Sequence, residues 1–255
     1  MHARDKCYKG ILTFGGAYSN HLHAAAYATK QANLKLICIV RAQDTKLDNP
    51  TMSAIKHWGA QINLVDRETY KKKEDRDYID ALEREYPDYF IVPEGGNNLL
   101  ARKGMQEMAK ELSKDYDYIF ISVGTGSSAI GLVPHLNTDA KLMAVAAVKD
   151  SSLVNYFNRE LGEHKNWELS FDFARGGFAK TDPELVKFIN VFNQDHGILL
   201  DPIYNAKTFL AFDQLVNSGR FSAGSKILLI HTGGLQGIKG HNMRYASQPE
   251  MQIVT

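Results

Sequence analysis

Apolar residues come along this chain in short unbroken runs, separated by longer segments in which apolar and polar residues mix. The runs Ile11 to Phe14, Leu36 to Val40, Ile62 to Val65, Tyr89 to Val92, Tyr118 to Val123, Leu142 to Val148 and Ile227 to Ile230 predict strands. A strand with one wet face would alternate apolar with polar, so continuous runs predict strands covered on both faces. The segments between them predict helices over 19–31, 51–58, 75–86, 98–114, 127–136, 182–195 and 205–218. Strand and helix in alternation give βαβ units and a mostly parallel sheet. The predicted fold class is α/β, with two open, mostly parallel, twisted-sheet lobes and a cleft between them. The seam is expected near residue 100, where the fourth run and Glu94-Gly95-Gly96 give way to a helix. That makes 1–100 a smaller lobe and 101–255 a larger one.

Composition narrows the function classes. The 255 residues are 44% hydrophobic and 23% charged, with a formal net charge of +1, so no global field draws the chain to nucleic acid or a membrane. The basic run Lys71-Lys72-Lys73 is followed by Glu74, Asp75 and Asp77, a pattern that reads as a solvated helix face. The two cysteines, Cys7 and Cys38, form neither a metal-ligand spacing nor a disulfide framework. No uncharged apolar stretch reaches the ~18 residues of a membrane span, and the first ten residues lack a signal-peptide core. The expected setting is a reducing, cytoplasmic one. His21 and His23 are two apart and do not share a helix face, and His231 and His241 lack a third ligand, so no metal site is expected.

Chemistry concentrates in turns. In open α/β sheets ligands bind outside the carboxyl ends of strands. Gly15-Gly16, Gly95-Gly96, Gly124-Thr125-Gly126-Ser127-Ser128 and Thr232-Gly233-Gly234 all follow predicted strands. In "YIFISVGTGSSAIGLV" a buried strand leads through small residues into a helix. Glycines let a ligand approach the backbone, and free N–H groups at the helix start favour an anion such as phosphate. The alternative is a tight turn that needs a left-handed residue. There is no Lys as in G-x-x-x-x-G-K-[ST], and the spacing is not G-x-G-x-x-G, so nucleoside triphosphate and dinucleotide sites are both poor fits. Ser19, Asn20 and His21 fall at a predicted helix start, where Ser or Asn also serves as an N-cap. Four such turns at strand ends point to a phosphorylated small molecule.

"TFGGAYSNH", "VPEGGNN", "VGTGSS", "LDPIYNAKTFLAF" and "ILLIHTGGLQGI" stand in the order and spacing of the 1-aminocyclopropane-1-carboxylate deaminase and D-cysteine desulfhydrase family. The chain resembles that family, within the fold-type II (tryptophan synthase β-like) pyridoxal-phosphate enzymes, from about Gly10 to Gly237. The resemblance implies pyridoxal 5′-phosphate as cofactor and a small amino acid as substrate. It also implies a homodimer. Asn20 is similar to the residue that bonds the cofactor's phenolic oxygen, and Ser19 to a catalytic hydroxyl that contacts the substrate carboxylate. His21 corresponds to a position near that carboxylate. Gly124, Thr125, Gly126, Ser127 and Ser128 resemble the phosphate cup. Thr232 is similar to the hydroxyl facing the pyridine nitrogen, where a neutral group would limit the ring's electron-sink strength. Tyr204 matches a catalytic tyrosine near the substrate, or else is a partly buried tyrosine with a satisfied hydroxyl. Glu94 and Asn97 are either cleft residues or caps of the following helix.

One part of the family pattern is missing. The lysine that holds the cofactor as an imine lies in an S-G-N-K-like motif some tens of residues before the first glycine pair. Only fourteen residues precede Gly15 here, and no Gly-Asn-Lys triplet occurs. Lys6 and Lys9 read as surface lysines. The expectation is a family member without its N-terminal segment: a late start codon, a truncated gene or a lost covalent step. The larger lobe would then be incomplete. The activity implied is cleavage of D-cysteine or 1-aminocyclopropane-1-carboxylate to a 2-oxo acid and ammonia, impaired in this chain. The alternative is a non-catalytic remnant that binds pyridoxal phosphate or another phosphate.

Overall fold

The computed structural model describes residues 2–42, 49–112, 115–136, 139–164 and 166–255. They form two compact units, Met1–Asn98 and Leu99–Thr255.

The first unit carries strands β1 (Gly10–Gly16), β2 (Lys35–Arg41), β3 (Gln61–Val65) and β4 (Tyr89–Val92). They lie in the order β3-β2-β1-β4, every pair parallel. Helices α1 (His2–Asp5), α2 (Asn20–Gln31), α3 (Pro50–His57), α4 (Arg67–Lys71) and α5 (Arg76–Glu85) connect or precede them. β2 shows why its run was unbroken. Leu36, Cys38 and Val40 pack on one face with Leu22, Met52 and Ile55, while Ile37 and Ile39 pack on the other with Phe14, Tyr70 and Leu82. Burying each of these side chains contributes about 1.5–3 kcal/mol.

The second unit repeats the plan. Strands β5 (Tyr118–Val123), β6 (Lys141–Ala146), β7 (Trp167–Ser170) and β8 (Ile227–Leu229) lie in the order β7-β6-β5-β8, again all parallel. Its helices are α6 (Leu99–Glu111), α7 (Ser127–Leu132), α8 (Ser152–Leu161), α9 (Pro183–His196), α10 (Asn205–Asn217) and α11 (Gly237–Arg244). Ile119, Ile121 and Val123 face α7 and α8, whereas Phe120 faces Ala211 of α10. A separate apolar cluster joins Leu185 and Ile189 of α9, Phe209 of α10, Ile238 of α11 and Ile253.

The two parallel sheets agree with the fold class expected from sequence. β7, α1, α4, α8 and α11 lie outside the predicted elements. The helix expected over 98–114 spans Leu99–Glu111, and its positions 113 and 114 lie outside the described residues. β6 stops two residues before the predicted Val148, because its ladder partners stop at Val123 and Ser170.

Each sheet has one place where the strand order reverses: between β1 and β4 in the first unit, between β5 and β8 in the second. Loops after such a pair diverge and leave a crevice at the carboxyl ends. All four glycine turns singled out in the sequence stand at the carboxyl ends of these four strands, Gly15-Gly16 as the last two residues of β1.

Candidate functional site

In the first unit, β1 runs through Gly15-Gly16 and a short turn into α2. Ser19 caps this helix, its Oγ accepting from Leu22 N–H at 3.2 Å. That bond takes one of the two lone pairs of the hydroxyl oxygen and leaves its hydrogen available to another acceptor. Gly15 has no substitute here, because a Cβ would stand 2.5 Å from Leu22 Cγ and 2.8 Å from Ser19 Oγ. Asn20 and His21 follow in the first turn, and all three residues are half-buried. His21 Nε2 lies 2.7 Å from Oγ1 of Thr13, a fully buried residue of β1. Thr13 in turn donates to the carbonyl oxygen of Val92, at the end of β4, at 2.8 Å. Burial holds the His21 imidazole below its ordinary range, with the Glu94 carboxylate pulling the other way.

Glu94 is tied into the same unit. It accepts from Tyr70 Oη at 2.7 Å and lies 3.5 Å from Lys73 Nζ. One member of the basic run therefore turns inward instead of facing solvent. Asn97 is half-buried and follows the turn that ends at Gly96.

In the second unit, Gly124-Thr125-Gly126 leads from β5 into α7. Gly126 is the N-cap, with φ 85°, and no side chain caps this helix. A Cβ on Gly126 would stand 2.9 Å from Phe157 Cε2, so both the conformation and the space demand glycine. Ser127 is buried, whereas Thr125 and Ser128 are exposed. Tyr204 lies against the same loop: a Cβ on Gly124 would be 3.0 Å from its Cε1 and 3.3 Å from its Oη. The Phe178 ring stands 6.2 Å from that of Tyr204.

Thr232, after β8, is joined to the same neighbourhood through Asn205, the first residue of α10. Thr232 donates both its N–H (2.9 Å) and its hydroxyl (3.1 Å) to Asn205 Oδ1. The Asn205 amide nitrogen donates to Asp201 Oδ1 at 2.5 Å and to the Gly233 carbonyl at 2.7 Å. These four partners leave only one orientation for the amide. Asp201 is buried and also accepts from the N–H groups of Ile203, Tyr204 and Asn205. Burial raises its carboxyl, and the four N–H donors oppose that shift. Because the Thr232 hydrogen goes to Asn205, what Thr232 offers a ligand is a lone pair.

Lys207, two residues further along α10, is fully buried. Its Nζ donates to the carbonyl oxygens of Ala147 (3.2 Å), Ala174 (2.9 Å) and Gly177 (2.8 Å). The first follows β6, and the others belong to the loop that carries Phe178. Burial lowers this ammonium to about 8 against the pull of Asp201. Thr13, Asp201, Asn205 and Lys207 were not among the site residues expected from sequence. Polar residues spaced through the otherwise apolar "LDPIYNAKTFLAF" are the signal that pointed to the last three. His231 is structural: its Nε2 donates to the Leu199 carbonyl at 2.9 Å, and its Nδ1 accepts from Gly233 N–H at 3.1 Å.

Parallel α/β units with glycine turns at both points of strand reversal, one of them leading into an uncapped helix, are the arrangement in which open sheets present ligand crevices at strand ends. The chain belongs to the family of pyridoxal-phosphate dependent enzymes, whose profile matches residues 2–233. It is 27% identical over 265 aligned residues to the bifunctional D-cysteine desulfhydrase/1-aminocyclopropane-1-carboxylate deaminase, mitochondrial, of Arabidopsis thaliana, covering 92% of this chain and 66% of the relative. The crystal structure of an ACC deaminase homologue superposes with a TM-score of 0.78 at 25% identity, over 96% of this chain and 80% of that one. The processed form of threonine deaminase isoform 2 from Solanum lycopersicum shares the fold, with a TM-score of 0.62 at 17% identity.

 For that enzyme the match covers 91% of this chain and 71% of its own length, and at this identity it speaks for the fold alone.

Pyridoxal phosphate is the cofactor of this family, and the second unit offers groups that fit its phosphate. The loop Gly124–Ser128 carries no acidic side chain, Gly126 holds it in the left-handed conformation, and the first N–H groups of α7 have no side-chain cap. Among the described residues, no helix is long and apolar enough to cross a membrane.

Proposed function

We propose that this chain is a D-cysteine desulfhydrase or 1-aminocyclopropane-1-carboxylate deaminase by descent, which binds pyridoxal phosphate and a small amino acid, with catalysis impaired because none of Lys6, Lys9 and Lys207 would hold the cofactor. The cofactor, when bound, supplies an electron-withdrawing ring that loosens bonds at the amino acid's α-carbon. Gly124, Thr125, Gly126, Ser127 and Ser128 would hold its phosphate through backbone N–H groups and hydroxyls. Thr232, offering a lone pair, would accept from a protonated ring nitrogen, and Asn20 would bond the phenolic oxygen. Ser19, which accepts from Leu22 N–H, would give its hydroxyl hydrogen to the substrate carboxylate. Tyr204, which lies against Gly124, would move a proton near the substrate. A homodimer belongs to the same proposal.

The observation that carries the binding half is the left-handed Gly126 opening an uncapped helix at the point of strand reversal. The catalytic half turns on lysines. Lys6 and Lys9 are exposed, and Lys9 leads into the amino end of β1, the end remote from Gly15-Gly16. Lys207 is enclosed by three carbonyl oxygens. The test is to titrate the protein with pyridoxal phosphate, treat it with borohydride and map the product by mass spectrometry. D-Cysteine and 1-aminocyclopropane-1-carboxylate are assayed in parallel for release of 2-oxo acid. The expected result is binding that inorganic phosphate competes away, with no lysine modified in stoichiometric amount and no 2-oxo acid. A single lysine fixed to the cofactor would overturn the catalytic half, and absence of binding would overturn the other.

A further inference from the structure

Thr13 has one hydroxyl hydrogen and two neighbours within hydrogen-bond distance: the Val92 carbonyl oxygen at 2.8 Å and His21 Nε2 at 2.7 Å. A carbonyl oxygen can only accept, so the hydrogen goes to Val92. The Thr13 oxygen is left as an acceptor, and His21 Nε2 must then carry the proton of that contact. We propose that Thr13 is a positioning residue that locks His21 in the Nε2–H form, so that Nδ1 presents a lone pair to a hydrogen-donating group of the ligand.

Four observations support this. Thr13 is fully buried, so water does not compete for either of its bonds. Its place is set by the sheet: Thr13 stands in register with Val92 across the β1–β4 pair, at the point of strand reversal. The imidazole is predominantly neutral near pH 7, because burial outweighs the attraction of the Glu94 carboxylate. Nδ1 lies on the side of Gly96, where a Cβ would come within 3.7 Å of it. That nitrogen therefore lies beside one of the glycine turns that border the crevice.

The consequence departs from the role that family resemblance implies. A neutral histidine offering Nδ1 as a lone pair repels a carboxylate and attracts an N–H donor. In an amino acid that donor is the ammonium group, whereas the carboxylate suits Ser19. The ligand's identity rests on the amino-acid reading proposed above; the lock does not.

The test is a long-range ¹H–¹⁵N spectrum of the histidine rings in the full chain near pH 7, with His21 assigned by its loss in His21→Gln. The expected pattern is a pyrrole-type Nε2 and a pyridine-type Nδ1. Thr13→Ser keeps the hydroxyl and is expected to keep the pattern, whereas Thr13→Val is expected to move both nitrogens toward the averaged shifts of exchanging tautomers. An Nδ1–H form in the wild type overturns the lock, and so does a Thr13→Val spectrum identical to it. If Thr13→Val does not fold, the wild-type and Thr13→Ser spectra decide. D-Alanine, which has both ammonium and carboxylate, is expected to shift Nδ1, and propionate, which has the carboxylate alone, is not. A response to propionate, or to neither probe, overturns the donor assignment, while failure of the amino-acid reading alone leaves the tautomer pattern intact.

Discussion

Lys207 Nζ donates to the carbonyl oxygen of Gly177 at 2.8 Å, which ties the core of α10 to the loop that places Phe178 beside Tyr204. With Ala147 and Ala174 as further acceptors, one ammonium satisfies three separate carbonyl groups. Lys207→Met keeps the volume and strands all three, so a loss of about 2–4 kcal/mol is expected in urea denaturation. The pH dependence has a definite sign. Lys207 sits at about 8 in the folded chain against 10.5 for an ordinary lysine, so between those values the unfolded chain binds more protons. This group's contribution to stability therefore rises with pH across that window. The stability difference between wild type and Lys207→Met is expected to widen there; a difference that stays constant would refute the buried-ammonium assignment.

Cys38 sits in the middle of β2 with no exposed surface, and burial pushes its thiol up to about 12. Cys7 is exposed. An aromatic disulfide reagent at pH 8 is expected to titrate one thiol in the folded protein and two after denaturation. Because the folded value lies above the ordinary one, the contribution of Cys38 to stability is fully present below pH 9 and is lost as pH rises through the window up to 12.

Gly126→Ala places a side chain in a left-handed residue and drives it into Phe157. Backbone strain alone costs about 1–2 kcal/mol, and the clash adds to it. The expected outcome is a lower midpoint of unfolding together with weaker binding of inorganic phosphate, read by calorimetry. Unchanged phosphate binding would remove the loop from the site.

Thr232→Ala deletes the hydroxyl bond to Asn205 but keeps the N–H bond, whereas Asn205→Ala removes the acceptor of both and leaves Asp201 short of a donor. The first is expected to cost about 1 kcal/mol and the second about 2–4 kcal/mol. Equal losses would show that the Asp201–Asn205 pair carries little of the stability of this corner.

Ser19→Ala removes the cap of α2, at an expected cost of about 1 kcal/mol. Ser19→Asn retains a side-chain acceptor and is expected to recover most of that stability. Recovery of stability without recovery of ligand binding would separate the cap from the hydroxyl's part in binding.

Much of this was legible in the chain itself. β2 was clear because Leu36 to Val40 is buried on both faces, and unbroken apolar runs are the mark of such strands. β7 was not, because "WELS" is short, half-buried at every position and at a sheet edge, where a charged residue such as Glu168 reaches Lys141 and Arg220. The glycine turns were visible because left-handed and crowded backbone positions select a residue type locally. Thr13 was hidden for the opposite reason: within the run Ile11 to Phe14 it looks like one more strand residue.

Periodicity and residues close together in the chain carried the strand pattern of both units apart from β7, the turns at the carboxyl ends and the family. Which polar groups meet is set by the fold: Thr13 with Val92 and His21, Asn205 with Thr232, Lys207 with Ala147 and Gly177. Those partners lie up to 79 residues apart. The hydrogen each donor has to give is assigned by what surrounds it in space, and strand pairing and helix packing alone bring those surroundings together.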